Sequence, residues 1–353
     1  MVIEMNSEKS RILDLLEQGR ITVDEAVMLL EALGEKNAKE MTKRYRRGDK
    51  KNDFDEKASK IVDEIGKKIN YFIENLGQYF SEGIERAGDF AGSFAGKRRF
   101  ERNIRGTVRD GAKVEIRTYG SVDIRGIDSP GGEFRLELFI RADDEDEADA
   151  LLRDAFQIRT SEDEIFLDLR ERRETWVDAV LYLPRNFRYD LQIHSVNGRI
   201  RLNDLDLAAA NLETVNGRVL VERCSGETVN VKTLNGSIDA IGSFKVLDAA
   251  TQNGSIEYSL LGDSTSASLN STNGPLRVRL PVSERFDYNI EARTVWGRIF
   301  LDLPVRNLEV NRERENYLHA TTMAVASYPK DQVVRLQAGT SNGSITILPL
   351  ENQ

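Results

Sequence analysis

The residue types that most often carry enzyme chemistry are scarce in this chain. Histidine occurs twice, as His194 and His319, and cysteine once, as Cys224. That inventory excludes a zinc site of Cys/His type and counts against a Cys–His nucleophile. No phosphate-cradling Gly-rich loop precedes a helix opening with Lys-Ser/Thr. Carboxylates are abundant, 59 in all, so counting alone leaves a glycosidase-type acid pair open. Asp204 and Asp206 are spaced to share one face of a strand; the plainer reading is two solvated loop acids. His194 directly precedes Ser195 in a strand-like run, where a packed or surface role is simpler than base catalysis.

The informative spacing belongs to a residue pair with little chemistry of its own. A pattern Ser/Thr-x-Asn-Gly-x-aliphatic begins at Ser195 with Asn197-Gly198 and recurs at Asn216-Gly217, Asn235-Gly236, Asn253-Gly254 and Asn273-Gly274. The successive glycines stand 19, 19, 18 and 20 residues apart. Trp296-Gly297 follows at 23 residues with Trp in place of Asn, and Asn342-Gly343 closes the series after another 46. Glycine-rich repeats that bind calcium need an Asp at a fixed place after paired glycines. Here the residue after Gly is Arg199, Arg218, Ser237, Ser255, Pro275, Arg298 or Ser344, so no ligand set exists and no metal or other cofactor is expected.

A fixed repeat length is what a stacked coil requires, because a rung of different length would put its corner out of line. Asn-Gly also supplies turn conformations with positive φ. Stacking would align the Asn amides into one ladder and the Ser/Thr hydroxyls into another. After each Gly the inward positions alternate, as in Ile200 and Leu202, Val219 and Val221, Ile238 and Ala240, Ile256 and Tyr258, Ile299 and Leu301, and Ile345 and Ile347. The expected fold is mainly β, a parallel β-helix or β-solenoid, with a meander of hairpins or a sandwich as the competing arrangement. Outward, Arg199, Arg218, Arg277, Arg279 and Arg298 form a stripe that reads as surface charge or as a face for an anionic polymer or peptide. Arg199 and Arg218 are the candidate partner-binding residues within it.

The coil occupies a β-strand-repeat domain assigned to residues 97–353, in which alternation of period two begins near residue 100 and an acidic helix interrupts at about 143–156. Residues 1–36 read as an α-helical hairpin, whose second helix opens on the capping box Thr22-Val23-Asp24-Glu25 and stops at Gly34. A DNA-binding helix-turn-helix is the tempting interpretation, but this stretch carries four basic and eight acidic side chains, and phosphate contacts need cations. Residues 37–60 form a charged linker with a basic cluster from Lys43 to Lys51. Residues 61–96 give an amphipathic, Gly-containing helix whose apolar stripe includes Ile65, Ile69, Phe72, Leu76 and Phe80, a candidate partner-binding face.

Net charge is -9, which argues against general nucleic-acid binding. No apolar run approaches the ~18 residues that span a bilayer, and no secretory signal pattern opens the chain. The expected location is cytoplasmic or peripherally envelope-associated. Cell-surface exposure is the alternative.

The Asn-Gly coil resembles the bacterial β-strand-repeat domains labelled as adhesin-like. The run from Ser10-Arg11-Ile12-Leu13-Asp14-Leu15-Leu16-Glu17-Gln18-Gly19 through Glu25-Ala26-Val27-Met28-Leu29-Leu30 resembles the N-terminal domain of YvlB/LiaX-like proteins of Gram-positive bacteria. The order hairpin, linker, β domain covers nearly the whole chain. The resemblance implies a non-enzymatic role in the cell-envelope stress response, linked to a membrane-associated stress-sensing system and to cationic antimicrobial peptides. It carries no catalytic residues. The expected function is a sensor or adaptor that binds a protein or peptide through the coil and the N-terminal helices, with self-association and peripheral membrane contact as further expectations. A β-helix polysaccharide lyase or hydrolase is the rival.

Overall fold

The computed structural model describes residues 97–170, 176–282, 286–310, 317–322 and 333–350. The hairpin, the linker and the amphipathic helix expected over 1–96, with Ile65, Ile69, Phe72, Leu76 and Phe80, lie outside the described residues. The chain divides into two units, 1–61 and 62–353, and all the described residues lie in the second.

Alternating apolar and polar residues make strands throughout. β1 (Arg98–Thr107), β2 (Lys113–Thr118), β3 (Val122–Ile127) and β4 (Glu133–Ala142) lead into the short helix α1 (Glu145–Ala150), which ends in a π turn over Leu151–Ala155. Asp144 caps α1 by accepting from the Glu147 N–H, while Glu147 accepts from the Asp143 N–H. After β5 (Gln157–Thr160), β6 (Glu164–Asp168) and β7 (Val177–Pro184) the regular coil begins. It runs through β8 (Arg188–Ser195), β9 (Ile200–Asn203), β10 (Asp206–Thr214), β11 (Val219–Thr233), β12 (Ile238–Asn253), β13 (Ile256–Leu260), β14 (Ser266–Asn273) and β15 (Leu276–Leu280). The last strands are β16 (Asp287–Thr294), β17 (Ile299–Leu301), β18 (Val305–Val310), β19 (Tyr317–Thr322), β20 (Val333–Asn342) and β21 (Ile345–Pro349).

Each coil has a front strand before its turn and a back strand after it. The front face stacks β6, β2, β8, β10, the second half of β11, the second half of β12, β14, β20 and β16, all parallel. The back face stacks β7, β3, β9, the first halves of β11 and β12, β13, β15, β21 and β17, also parallel. β11 and β12 bend from one face to the other without a break in the strand, β11 through an irregularity at Glu222/Cys224. Antiparallel strands finish the ends: β4 and β1 continue the back face beyond β7, β5 lies on β6, and β19 lies on β16 with β18 on β19.

Inward aliphatics from both faces form one core. Ile200, Leu202, Val219, Val221, Ile238, Ala240, Ile256, Tyr258, Ile345 and Ile347 are buried, each large one contributing about 1.5–3 kcal/mol. Ile299 and Leu301 are only half-buried, since theirs is the last rung of the back face.

The rungs are not stacked in chain order. β20 lies between β14 and β16, and β21 between β15 and β17, so the Asn342 rung precedes the Trp296 rung in space. The series as it runs along the sequence, ending on Asn342, is therefore not the order of the rungs in space. The cause is edge occupancy: β19 takes the outer edge of β16 antiparallel, which leaves β20 the inner one. At the other end β2 and β3 form a rung inserted between β6/β7 and β8/β9.

Candidate functional site

The turn row shows why the repeat has its composition. Thr214 Oγ1 donates to the Gly198 carbonyl of the preceding rung at 3.1 Å, and Thr233, Thr251 and Ser271 do the same to Gly217, Gly236 and Gly254 at 3.0, 2.9 and 2.9 Å. Thr340 reaches Gly274, and Thr294 reaches Gly343. The hydroxyls therefore do not bond one another, as the expected second ladder would have required; each satisfies a backbone acceptor next door. The glycines obey the same stacking. A Cβ on Gly217, Gly236, Gly254, Gly274, Gly297 or Gly343 would fall far inside van der Waals distance of the neighbouring rung's glycine carbonyl. Among the described residues positive φ occurs at Gly111, Gly132, Asp204 and Arg223 and at no residue of this row. The expectation that Asn-Gly serves here by its positive φ is thus corrected: close approach between rungs, not a left-handed backbone, demands glycine.

The amides do form a ladder. Asn216 donates to Asn197, Asn235 to Asn216, Asn253 to Asn235, Asn273 to Asn253 and Asn342 to Asn273, every bond 2.8 Å long. Its first member, Asn197, has a buried Nδ2 without an acceptor, and its backbone N–H donates to Tyr119 O. At the other end Trp296 stands where the next amide would be, its backbone N–H on Ser341 O and its side chain 72% exposed. Neutral amides in mutual hydrogen bonds do no acid–base work, so this row holds the coil together.

Outward charges are largely spent on each other. Arg218 pairs with Asp239 at 2.5 Å, and that hydrogen bond holds its pKa above the ordinary arginine value. Arg277 and Arg279 both approach Glu257, at 2.7 and 3.4 Å. Of the expected cationic stripe, Arg199 and Arg298 lack an acidic partner among the described residues. Arg199 and Arg218 do stand together, at the same turn position of adjacent rungs.

The acids considered for catalysis are likewise committed. Asp204 accepts from Arg223 Nε at 2.8 Å, which holds its carboxyl below the usual range, and Asp206 pairs with Arg188 at 3.4 Å. His194 is 2% exposed and lies 3.1 Å from Glu213, itself 6% exposed, on the neighbouring strand. His319 contacts Asn289, and Cys224 is buried, its thiol pushed up to about 12 by desolvation. Such a thiol is no nucleophile at neutral pH. Among the described residues no group of three or more His, Cys, Asp or Glu is placed to hold a metal.

Two surfaces were not singled out from the sequence. One is a cavity of about 600 Å³ lined by Arg105, Thr107, Ser129, Glu133 and Arg135 among others. Arg105 and Arg135 are direct cross-strand partners there. The other is the end of the coil at β17, which among the described residues pairs on one side only, with β21. Phe300 of β17 is 56% exposed and shares that end with Trp296. The replacement of Asn by Trp was the available signal for it.

Residues 7–38 match the model of the SHOCT-like domain, and residues 188–348 match that of Toastrack DUF4097. The second match starts at β8 and ends in β21, so it covers the Asn-Gly rungs. No curated protein matches the chain. Among solved structures, the chain is similar to a candidate cell adhesion protein from Clostridium sporogenes at 11% identity and a TM-score of 0.33, over 71% of this chain and 100% of that one. It is also similar to a candidate adhesin from Bacteroides fragilis at 14% identity and a TM-score of 0.34, over 72% of this chain and 97% of that one.

Proposed function

We propose that this protein is a non-enzymatic adaptor of the cell-envelope stress response, which holds a protein or peptide partner with its coil and its N-terminal helices. One observation carries the binding role: the coil ends on the back face in a strand, β17, that pairs on one side only among the described residues, beside exposed Trp296 and Phe300. An extended peptide adding to that strand would gain main-chain hydrogen bonds, and the two aromatics would supply apolar contact. The envelope role rests on the resemblance of hairpin and coil to YvlB/LiaX-like proteins. The Ile65, Ile69, Phe72, Leu76 and Phe80 stripe is the second contact in this reading, with the protein on the cytoplasmic side or peripherally on the envelope.

The test is an envelope-stress reporter in cells challenged with a cationic antimicrobial peptide. Trp296→Ala/Phe300→Ala should abolish the reporter response while leaving protein level and thermal unfolding unchanged. A full response from that variant contradicts the reading. The two acids weighed for a polysaccharide lyase or hydrolase, Asp204 and Asp206, are held in ion pairs with Arg223 and Arg188.

A further inference from the structure

β14/β15 and β16/β17 are consecutive rungs of the chain, yet a third rung separates them. β20 is hydrogen-bonded to β14 on one side and β16 on the other, and β21 to β15 and β17. Its side chains complete the core, with Val334, Leu336, Ile345 and Ile347 buried. Without this rung the coil would contain a slot whose two walls are facing parallel strands with unpaired backbone groups, the kind of edge that recruits another strand.

The slot specifies what can fill it. Ser271, Thr340 and Thr294 stand in one row, and Thr340 Oγ1 donates to Gly274 O at 3.0 Å while Thr294 Oγ1 donates to Gly343 O at 2.8 Å. The Asn342 amide completes the selection by bonding Asn273. A ligand for the slot must therefore bring a front strand, a Thr-x-Asn-Gly turn and a back strand in that order. Residues 333–349 of this chain have that pattern.

We propose that the slot is an acceptor site for a second copy of this chain, residues 333–349 of each copy filling the slot of the other in a rung-swapped dimer. Every bond the rung makes within its own chain is available, atom for atom, in a second copy, so the two arrangements differ only in the connection and in concentration. The connection between β19 and β20 is residues 323–332. Ten residues can reach about 33–36 Å when extended, several times the 4.7–4.9 Å between neighbouring strands. The proposal stands apart from the adaptor reading: it concerns the β14–β20–β16 pairing and uses neither Trp296 nor Phe300.

The experiment uses two full-length single-site variants, Ser266→Cys on β14 and Arg335→Cys on β20, which are direct cross-strand partners. Neighbouring strands bring paired cysteines within disulfide reach, and the native Cys224 is buried. The two variants are mixed, held at high concentration in mild denaturant, returned to buffer and oxidised. The expected result is a disulfide-linked species at twice the monomer mass, absent when Ser266→Cys is mixed instead with Asp110→Cys, a position in the β1–β2 turn. The result that overturns the proposal is no more linkage than in that control, with the Ser266→Cys/Arg335→Cys double variant closing its disulfide within the monomer. A second measurement avoids substitutions: unaltered protein taken through the same cycle with a dye-labelled peptide of residues 333–350 should retain the dye on gel filtration and release it to excess unlabelled peptide. Protein that emerges free of dye overturns the proposal equally.

Discussion

Asn342 donates its side-chain amide to Asn273 at 2.8 Å across 69 residues of chain, the same distance as from Asn235 to Asn216, which are 19 residues apart. The ladder is thus continuous in space where the chain is not. Two rungs that interrupt the stacking order, β2/β3 near one end and β20/β21 near the other, tie distant segments together. Such non-local pairing has to wait for both walls of each slot, so the coil is expected to close late in folding.

The turn glycines are the most sensitive positions. Gly236→Ala places a methyl against the Gly217 carbonyl and Thr233 Oγ1, and neither can move without shifting a rung. The expected loss is about 3 kcal/mol or more, in the range of overpacking and a broken buried hydrogen bond together. Gly131→Ala, with nothing within 4 Å of the new methyl, should change stability by less than about 0.5 kcal/mol. Urea unfolding of the two variants measures the difference.

Asp204 and Arg223 pair at adjacent corners, both with positive φ. The carboxyl's folded pKa is lowered, first by the hydrogen bond from Arg223, so its contribution is present above the unfolded value of about 3.9 and lost as pH falls through the folded one. Asp204→Asn keeps a residue that tolerates the left-handed backbone and removes the charge. The variant should be less stable than the parent at pH 7 by about 1 kcal/mol or less, as for other partly exposed pairs. The gap should narrow as pH falls below the unfolded value and close once pH lies below the lowered folded one. Thermal unfolding across that range reads it.

Cys224 reports on opening of the coil. Burial pushes its thiol up to about 12, and it sits at the β11 irregularity between front and back faces. At pH 8 a thiol reagent should label folded protein only as fast as the coil opens, and labelling should accelerate through the denaturant transition. Immediate labelling in buffer would mean that the Glu222/Cys224 corner is not closed.

The existence of the coil was legible in the sequence and its order was not. The near-constant spacing of Gly198, Gly217, Gly236, Gly254 and Gly274 follows from stacking, which forces glycine wherever two turns touch. The rung of β2 and β3 was hidden because its turn is shorter: Thr118 stands two residues before Gly120, where Ser195 stands three before Gly198, and no Asn intervenes. The place of the Asn342 rung could not be read because all rungs share one pattern. Which edge stays open for β20 depends on the antiparallel addition of β19 to β16, a long-range event with no local signal. The partners of the outward arginines were hidden for a similar reason. Asp239 and Glu257 meet Arg218 and Arg277 only once the register between rungs is set.

Rung order decides where the coil ends, and hence whether Trp296 and Phe300 lie at an accessible end or inside the stack. Ser268 is the direct partner of Gln337, and Gln337 of Glu291, so Glu291 lies two strands from Ser268. Two double variants, Ser268→Cys/Gln337→Cys and Ser268→Cys/Glu291→Cys, separate the orders by the rate at which their disulfides form in the monomer under mild oxidation. The inserted order predicts a rapid disulfide for the first and none for the second, whose strands lie about 9–10 Å apart, beyond bridging distance. A rapid Ser268–Glu291 disulfide with an unlinked Ser268–Gln337 pair would contradict it and put β16 directly on β14.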